Sequence, residues 1–299
     1  MTTTTYGGPQ PSRAGRIARL ATVTALAATT LSCATPYVTQ LAQVSDNAAT
    51  YHISTELSIE ACRDSLSNPA RESLEGLDTH RIRLVNWNIK KGSLPSWQAD
   101  YSKLSNGSDL VLIQEAALRI DTINDIQSAP HWSFAPGYRT EGQVTGVLTL
   151  SNIKPLTQCS FVTMEPVLRT PKATNVTQYG LRDTDQTLVV VNIHAVNFSF
   201  GLGAFEEQFS QISRVLENHT GPVVLSGDFN TWRAGRLAIV DQVAADLDLK
   251  PLHFDDDQRV RVLGKVIDHI YVRGLDAVVT ETRSVETSDH NPMSVELKM

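Results

Sequence analysis

Asp228 and Asn230 close the run Val223-Val224-Leu225-Ser226-Gly227-Asp228-Phe229-Asn230, which is otherwise mostly apolar. Side chains alternate along an extended chain, so the two polar groups share one side while Phe229 turns toward the core. A carboxylate and an amide held this way can set a water beside a phosphorus centre, one as base and the other as donor. The same residues could equally form an Asx turn that ends a strand. Comparable endings recur in Asn86-Trp87-Asn88, Gln114-Glu115 and Asn192-Ile193-His194. Val266-Ile267-Asp268-His269-Ile270 puts an acid inside an apolar run, where an unpaired charge is costly. Ser288-Asp289-His290-Asn291-Pro292 offers it a partner, because a carboxylate bonded to imidazole fixes the ring tautomer and stabilises its cation. Six polar clusters that each close or interrupt an apolar strand are more than core packing explains.

Positioning these residues requires strands, and the chain supplies them. Short apolar runs, several of them β-branched, recur at 82–88, 110–113, 144–150, 188–193, 223–225, 266–272 and 293–297, bounded by Gly, Asn, Asp or Ser. Helical spacing appears between them. Phe205, Phe209, Ile212 and Leu216 form one apolar stripe that stops at Gly221-Pro222. A second helix is expected over 237–247, a short one from Trp97 to Leu104, and another near 59–65. No repeat of 20–50 residues is visible. Residues 80–299 therefore read as one α/β domain, with 36–79 as a polar linker before it.

The 299 residues hold 26 Lys plus Arg against 32 Asp plus Glu, a net charge of −6. Arg13, Arg16 and Arg19 are the only charges before Asp46, so the remainder carries 23 bases against 32 acids, a net of −9. No general basic field invites nucleic acid, and an anionic substrate must be drawn by a local site such as a bound divalent cation. Residues 1–35 combine the three arginines, an apolar stretch from Leu20 to Leu31 and Ser32-Cys33-Ala34, the layout of an export signal. Cys33 is a candidate lipid-bearing residue, which would attach the protein to a membrane. The expected location is exported, secreted or envelope-attached, or cytoplasmic if 1–35 is no signal. Cys62 and Cys159 remain, with their pairing left open by sequence.

In order, Asn-x-Asn, Gln-Glu, Asn-Ile-His, Gly-Asp-Phe-Asn, Asp-His-Ile and Ser-Asp-His-Asn-Pro resemble the endonuclease/exonuclease/phosphatase superfamily with the DNase I-like fold. The resemblance runs from Arg81 to Leu297. Within the superfamily, 191–198, 256–259 and 271–275 look like the bacterial YafD-type branch. The resemblance implies a four-layer α/β sandwich, two packed mixed β-sheets flanked by helices, with strand ends gathered around Mg²⁺ or Mn²⁺. Carried onto this chain, Glu115 is the principal metal carboxylate, Asn88 a nearby amide and Asp289 an additional acid on the metal side. Asp228 would deprotonate the attacking water and Asn230 steady the phosphoryl oxygens. His290, braced by Asp268, would contact the phosphate, and His194 would aid the leaving group or bind phosphate.

The implied activity is hydrolysis of a phosphodiester by direct water attack, as a nuclease or on phospholipid head groups. A phosphomonoesterase on sugar, inositol or nucleotide phosphates and a catalytically silent binding module are the alternatives. A monomer is expected. Many superfamily members have Ser-Arg where Ser151 is followed here by Asn152; Arg169, Lys172, Arg259, Arg261 and Lys265 are the bases that could substitute. Asn-Ile-His-Ala stands where abasic-site endonucleases carry Tyr-x-Pro-Asn, which disfavours that activity.

Overall fold

The computed structural model describes residues 1–2, 52–53, 58–69, 75–118, 129–140 and 143–299. The chain divides into two compact units, Met1–Ser32 and Cys33–Met299. Beyond residues 1–2, the first unit lies outside the described residues, and with it most of the expected export segment; Cys33 does so too. No described helix is long and apolar enough to cross a membrane.

The second unit contains two sheets. The strands are β1 (His52–Ile53), β2 (Ile82–Asn88), β3 (Leu110–Leu118), β4 (His131–Thr140), β5 (Gln143–Ser151), β6 (Thr157–Met164), β7 (Pro171–Gly180) and β8 (Thr187–His194). They continue with β9 (Val223–Asp228), β10 (Lys250–Pro251), β11 (Arg261–Val262), β12 (Lys265–Val266), β13 (Asp268–Arg273), β14 (Asp276–Thr282) and β15 (Met293–Lys298). One sheet runs β1-β4-β5-β3-β2-β15-β14 and the other β10-β13-β9-β8-β7-β6, while β11 and β12 form a separate hairpin. Both main sheets are mixed, since β2 runs parallel to β3 and β8 to β9 while most other pairs are antiparallel. Four described α-helices flank them: α1 (Ile59–Ser67), α2 (Trp97–Ser105), α3 (Gly203–Leu216) and α4 (Ala234–Asp246).

Strand alternation builds three apolar layers. Leu84, Leu112, Leu188, Val190, Val224, Ile270 and Val295 face each other between the sheets. Their odd-numbered neighbours Val189, Val191, Val223 and Leu225 turn outward and meet Phe205, Phe209 and Ile212 of α3. Trp87, Val111, Ile113 and Leu150 cover the outer face of the other sheet together with Trp97 and Tyr101 of α2.

The stretch expected to be a linker contributes to this core. Cys62 and Leu66 of α1 are buried, and Cys62 is disulfide-bonded to Cys159 on β6 with the Cα atoms 5.9 Å apart. Leu77 is buried and its N–H donates to the Gly180 carbonyl at 2.9 Å. Two and a half helical turns are too short to show their burial in sequence, so the boundary at residue 80 excludes part of the packed fold. Reducing this disulfide, which spans 97 residues, should cost about 2 to 4 kcal/mol. A melting temperature lower by about 5 to 15 °C with dithiothreitol than without it is the expected reading.

Strand β7 has no apolar periodicity, yet Thr174, Asn175, Thr177 and Gln178 are buried. Hydrogen bonds make this tolerable: Gln178 Nε2 donates to the Leu66 carbonyl and Thr187 Oγ1, and Asn175 Nδ2 to Ser133 Oγ, each at 2.9 Å. The run at 266–272 is not continuous. Ile267 separates β12 from β13, and its carbonyl instead accepts the N–H of Phe229 at 2.8 Å.

Candidate active site

The layer between the sheets changes character along its length. At one end the inward positions are Leu84, Leu112, Val190, Val224 and Ile270. Two residues further along β2, β3, β8, β9 they become Asn86, Gln114, Asn192 and Ser226, all buried. Gln114 Nε2 bridges Asn86 Oδ1 at 2.9 Å and Asn192 Oδ1 at 2.7 Å, while Asn192 Nδ2 donates to the Leu148 carbonyl at 3.0 Å. One more step on β2, β8 and β9 reaches Asn88, His194 and Asp228. Asp268 pairs with Asp228 across the sheet.

Two backbone irregularities complete the end. A bulge in β3 falls between Ile113 and Ala116, and Glu115 sits there at φ 52°, turned out of the ladder toward His194. Gly227 lets β9 approach β8; a Cβ there would collide with the Ile193 carbonyl. Asn230 also has a positive φ, 52°, and its N–H donates to Asp228 Oδ1 at 3.0 Å. The Asx turn and the functional arrangement thus coexist.

Asp228 Oδ2 is the hub. Asn88 Nδ2 donates to it at 3.1 Å, His194 Nε2 lies 3.6 Å away and His290 Nε2 3.7 Å. Glu115 Oε1 is 4.0 Å from His194 Nε2. On the far side of its ring, His290 Nδ1 donates to Asp268 at 2.8 Å and 3.0 Å to the two oxygens. The loop carrying His290 is docked by Ser288 Oγ on the Asn88 carbonyl at 2.6 Å and by Trp87 Nε1 on the His290 carbonyl at 2.9 Å. All of the expected catalytic residues therefore gather in one place from both sheets.

Their charges are set by burial and neighbours. Burial opposes the charged His290 ring, but Asp268 and Asp228 outweigh it and raise its pKa to about 10. His194 is pushed the other way, well below the usual range, by burial and then by the charges of Lys172, His290 and Lys91. Burial raises Asp228 to about 6, with repulsion from Asp268 adding to it and His290 and Lys172 opposing. Near neutral pH one imidazole is a cation, the other is neutral, and a carboxylate lies between them.

Three positions have partners that the sequence did not reveal. Asn230 Nδ2 donates to the Ala195 carbonyl at 3.1 Å, so its amide holds a loop. Asn88 serves Asp228 through its nitrogen, and its oxygen accepts the Lys90 N–H at 3.0 Å. Asp289 is half-exposed and pairs with Lys90 at 3.2 Å. Among the described residues, the side chains whose ligand atoms lie within 4.8 Å of one another are Asp228, Asp268 and His290. Glu115 and Asp228 bring carboxylate oxygens to within 4.0 and 3.6 Å of His194 Nε2, and hard oxygen donors of this kind suit a divalent cation such as Mg²⁺.

Lys91, Glu165 and Arg236 at this end were not singled out by the sequence, and Lys172 was named there without distinction from four other bases. Lys172 is buried with Nζ 2.9 Å from His194 Nε2. Burial lowers its pKa, against the attraction of Glu165, Asp228 and Glu115. Lys91 reaches toward the Tyr138 ring, 5.7 Å from its centroid, and feels Glu115 and Asp289. Glu165, also buried, accepts the N–H groups of Asn197 and Phe198 at 2.8 and 2.7 Å. Arg236 is buried in the first turn of α4 and donates to the carbonyls of Val196, Asn197 and Asn230. A basic residue one turn into a helix directly after Gly-Asp-Phe-Asn was the available signal for it. Arg259 and Arg261 pair instead with Asp257.

His269 points away from Asp268 and lies against Phe229, with ring centroids 5.3 Å apart. Thr231 Oγ1 donates to the Val266 carbonyl and accepts from His269 Nε2, both at 2.7 Å. Burial, helped by Arg259, lowers this ring from 6.5 to about 4. The unfolded chain then binds the extra proton between those values, so stability must fall as the pH drops through that window. Between pH 7 and 5 this ring should cost about 2 kcal/mol. Urea unfolding of the parent and of His269→Gln at both pH values checks it; the acid loss should be smaller in the variant.

A two-sheet sandwich with a carboxylate between two imidazoles at converging strand ends defines a class of phosphate-ester hydrolase. The chain matches the Endonuclease/Exonuclease/phosphatase family over residues 80–290 and belongs to it. Members are hydrolases acting on phosphate esters, generally with a divalent metal. A UPF0294 protein of Vibrio vulnificus (strain YJ016) is 36% identical over 218 residues, covering 72% of this chain and 76% of that protein. A UPF0294 protein of Klebsiella pneumoniae (strain 342) is 38% identical over 224 residues, covering 72% and 82%. These relatives bear out the YafD-type likeness. The endonuclease/exonuclease/phosphatase structure from Beutenbergia cavernae DSM 12333 superposes with a TM-score of 0.57 at 15% identity, covering 74% of this chain and 72% of that one.

Proposed function

We propose that this protein is a divalent-metal-dependent phosphodiesterase that hydrolyses its substrate by direct attack of water, without a covalent intermediate. The observation that carries the reading is Asp228 Oδ2 held 3.6 Å from a neutral imidazole and 3.7 Å from a cationic one. Asp228 accepts the proton of the attacking water, its other oxygen being fixed by the Asn230 N–H. His290, kept charged by Asp268, and Lys172 neutralise the charge that grows on the phosphoryl oxygens. His194, oriented by Lys172, contacts the phosphate or its leaving oxygen. Glu115 would hold the metal, with Asp289 at its outer side, and a bound Mg²⁺ or Mn²⁺ would supply Lewis-acid charge.

The test is hydrolysis of bis-p-nitrophenyl phosphate against p-nitrophenyl phosphate with Mg²⁺, with Mn²⁺ and with EDTA. Diester turnover that EDTA abolishes and that exceeds monoester turnover is expected. Glu115→Gln should need more metal for half-maximal rate. Turnover unaffected by EDTA would overturn the metal assignment, monoester preference would favour a phosphatase, and no turnover with either metal would leave a binding module. Export is part of the same proposal. It is supported by the Cys62–Cys159 disulfide, a bond that persists mainly in oxidising compartments.

A further inference from the structure

The six-stranded sheet ends in three tips beside the candidate active site. Register fixes their placement: Ile193 pairs with Thr174 and Met164 with Pro171, so the β6–β7 turn lies beside the loop that follows His194. Asp268 pairs with Asp228, which brings the β11–β12 hairpin to the same end. Each tip exposes large apolar side chains. Val167 and Leu168 are exposed in the β6–β7 turn, Phe198 and Phe200 after β8, and Val262 and Leu263 in the hairpin. Phe200 is 93% exposed and Leu263 80%. Away from these tips and the adjacent Met164, the described exposures of this kind are Val278 and Val279 on β14 and the terminal methionines.

The phenylalanines are held in place. Glu165 accepts the Phe198 N–H, Arg236 binds the Asn197 carbonyl, Ser199 Oγ donates to the Gly201 carbonyl at 2.7 Å and Trp232 Nε1 to Asn197 Oδ1 at 2.9 Å. A loop with so much of its backbone engaged, yet with both phenyl rings in water, is built to bury those rings elsewhere. Bases accompany every tip. Arg169 follows Leu168, Lys265 follows the hairpin tip, and Arg233 donates to the Ser199 carbonyl at 3.3 Å, while Arg261 on the other side of the hairpin is paired with Asp257. In a chain of net charge −6, Arg169, Lys265 and Arg233 each stand beside one of these apolar tips.

We infer that this rim docks on an anionic lipid bilayer, the apolar tips entering the interface and the adjacent bases meeting lipid phosphates. Bases beside apolar side chains on separated projections match a headgroup layer, in which each apolar tip can enter on its own while the adjacent base meets a phosphate. The docking stands on exposure and charge and does not depend on turnover. Joined to the phosphodiesterase reading, it makes a membrane phosphodiester the substrate class.

The test is flotation of the full chain with vesicles of pure phosphatidylcholine and of phosphatidylcholine with equal phosphatidylglycerol. The parent should float with the anionic vesicles. The double variant Phe198→Ser, Phe200→Ser should partition about tenfold or more less strongly, because two exposed rings supply much of the apolar area. Its melting temperature and its turnover of a soluble diester should be unchanged, and the N-terminal residues, common to both proteins, cancel. Phe200→Trp should show blue-shifted emission on binding and quenching by brominated lipid. Equal flotation of parent and double variant, or no flotation of either, overturns the docking. A parent dimer by light scattering that the double variant abolishes would make a second copy the occupant and also overturn it. Flotation without hydrolysis of any diester would instead sink the enzymatic reading and leave the docking standing.

Discussion

Asp228→Asn should slow diester hydrolysis by about a thousandfold or more while leaving the protein no less stable in EDTA. The two halves have one cause. Burial raises the Asp228 carboxyl to about 6, against the attraction of His290 and Lys172 and with repulsion from Asp268. A carboxyl whose folded pKa exceeds its unfolded value destabilises the fold wherever it is ionised, and that penalty is relieved as pH falls from about 6 toward 4. Asparagine carries no such penalty and still accepts a hydrogen bond, but it cannot take a proton from water. Rates on bis-p-nitrophenyl phosphate and melts in EDTA measure both effects. Retained turnover would remove Asp228 as base, and a melt many degrees lower would show that its charge stabilises the fold. Such an opposition between stability and activity is expected where a buried charge is kept for chemistry.

Arg236→Met should have the largest structural effect. The guanidinium satisfies the carbonyls of Val196, Asn197 and Asn230 and the hydroxyl of Ser199, and it stacks over Phe205 and Trp232 at 4.8 Å. Methionine fills similar volume but strands those acceptors in a buried place. A loss of about 3 to 5 kcal/mol, roughly 10 °C or more in melting temperature, is expected by differential scanning calorimetry. The phenylalanine loop and the Asp228 turn both hang on this side chain, so diester turnover should fall with it. A variant that melts within a degree of the parent would mean that water replaces the guanidinium.

The strands that carry the site were legible because their inner positions end in residues a core would reject. Asn86-Trp87-Asn88, Asn192-Ile193-His194 and Gly227-Asp228-Phe229-Asn230 each announce a face and a point where it turns polar. Strand β7 was invisible for the converse reason: its buried positions are Thr, Asn and Gln, acceptable only through partners such as Ser133 and Leu66 that are remote in sequence. Strands β4, β6 and β14 were missed too; Pro136 and Gly137 interrupt β4, and β14 is largely exposed. Lys172 and Glu165 belong to the same hidden class, since nothing near them separates them from surface charges. Asn230 and Asn88 both lie beside Asp228, yet the partners of their amide groups depend on a loop carbonyl and a backbone N–H that spacing does not reveal.

The Asn86–Gln114–Asn192 bridge has a kinetic meaning for the whole molecule. Because Glu115 lies on one sheet and His290 on the loop that leads into β15 of that sheet, while His194, Asp228 and Asp268 lie on the other, neither half holds a working set by itself. A folding intermediate with a single sheet formed would be inert toward ester bonds, and recovery of activity during refolding would time the moment the two halves seal.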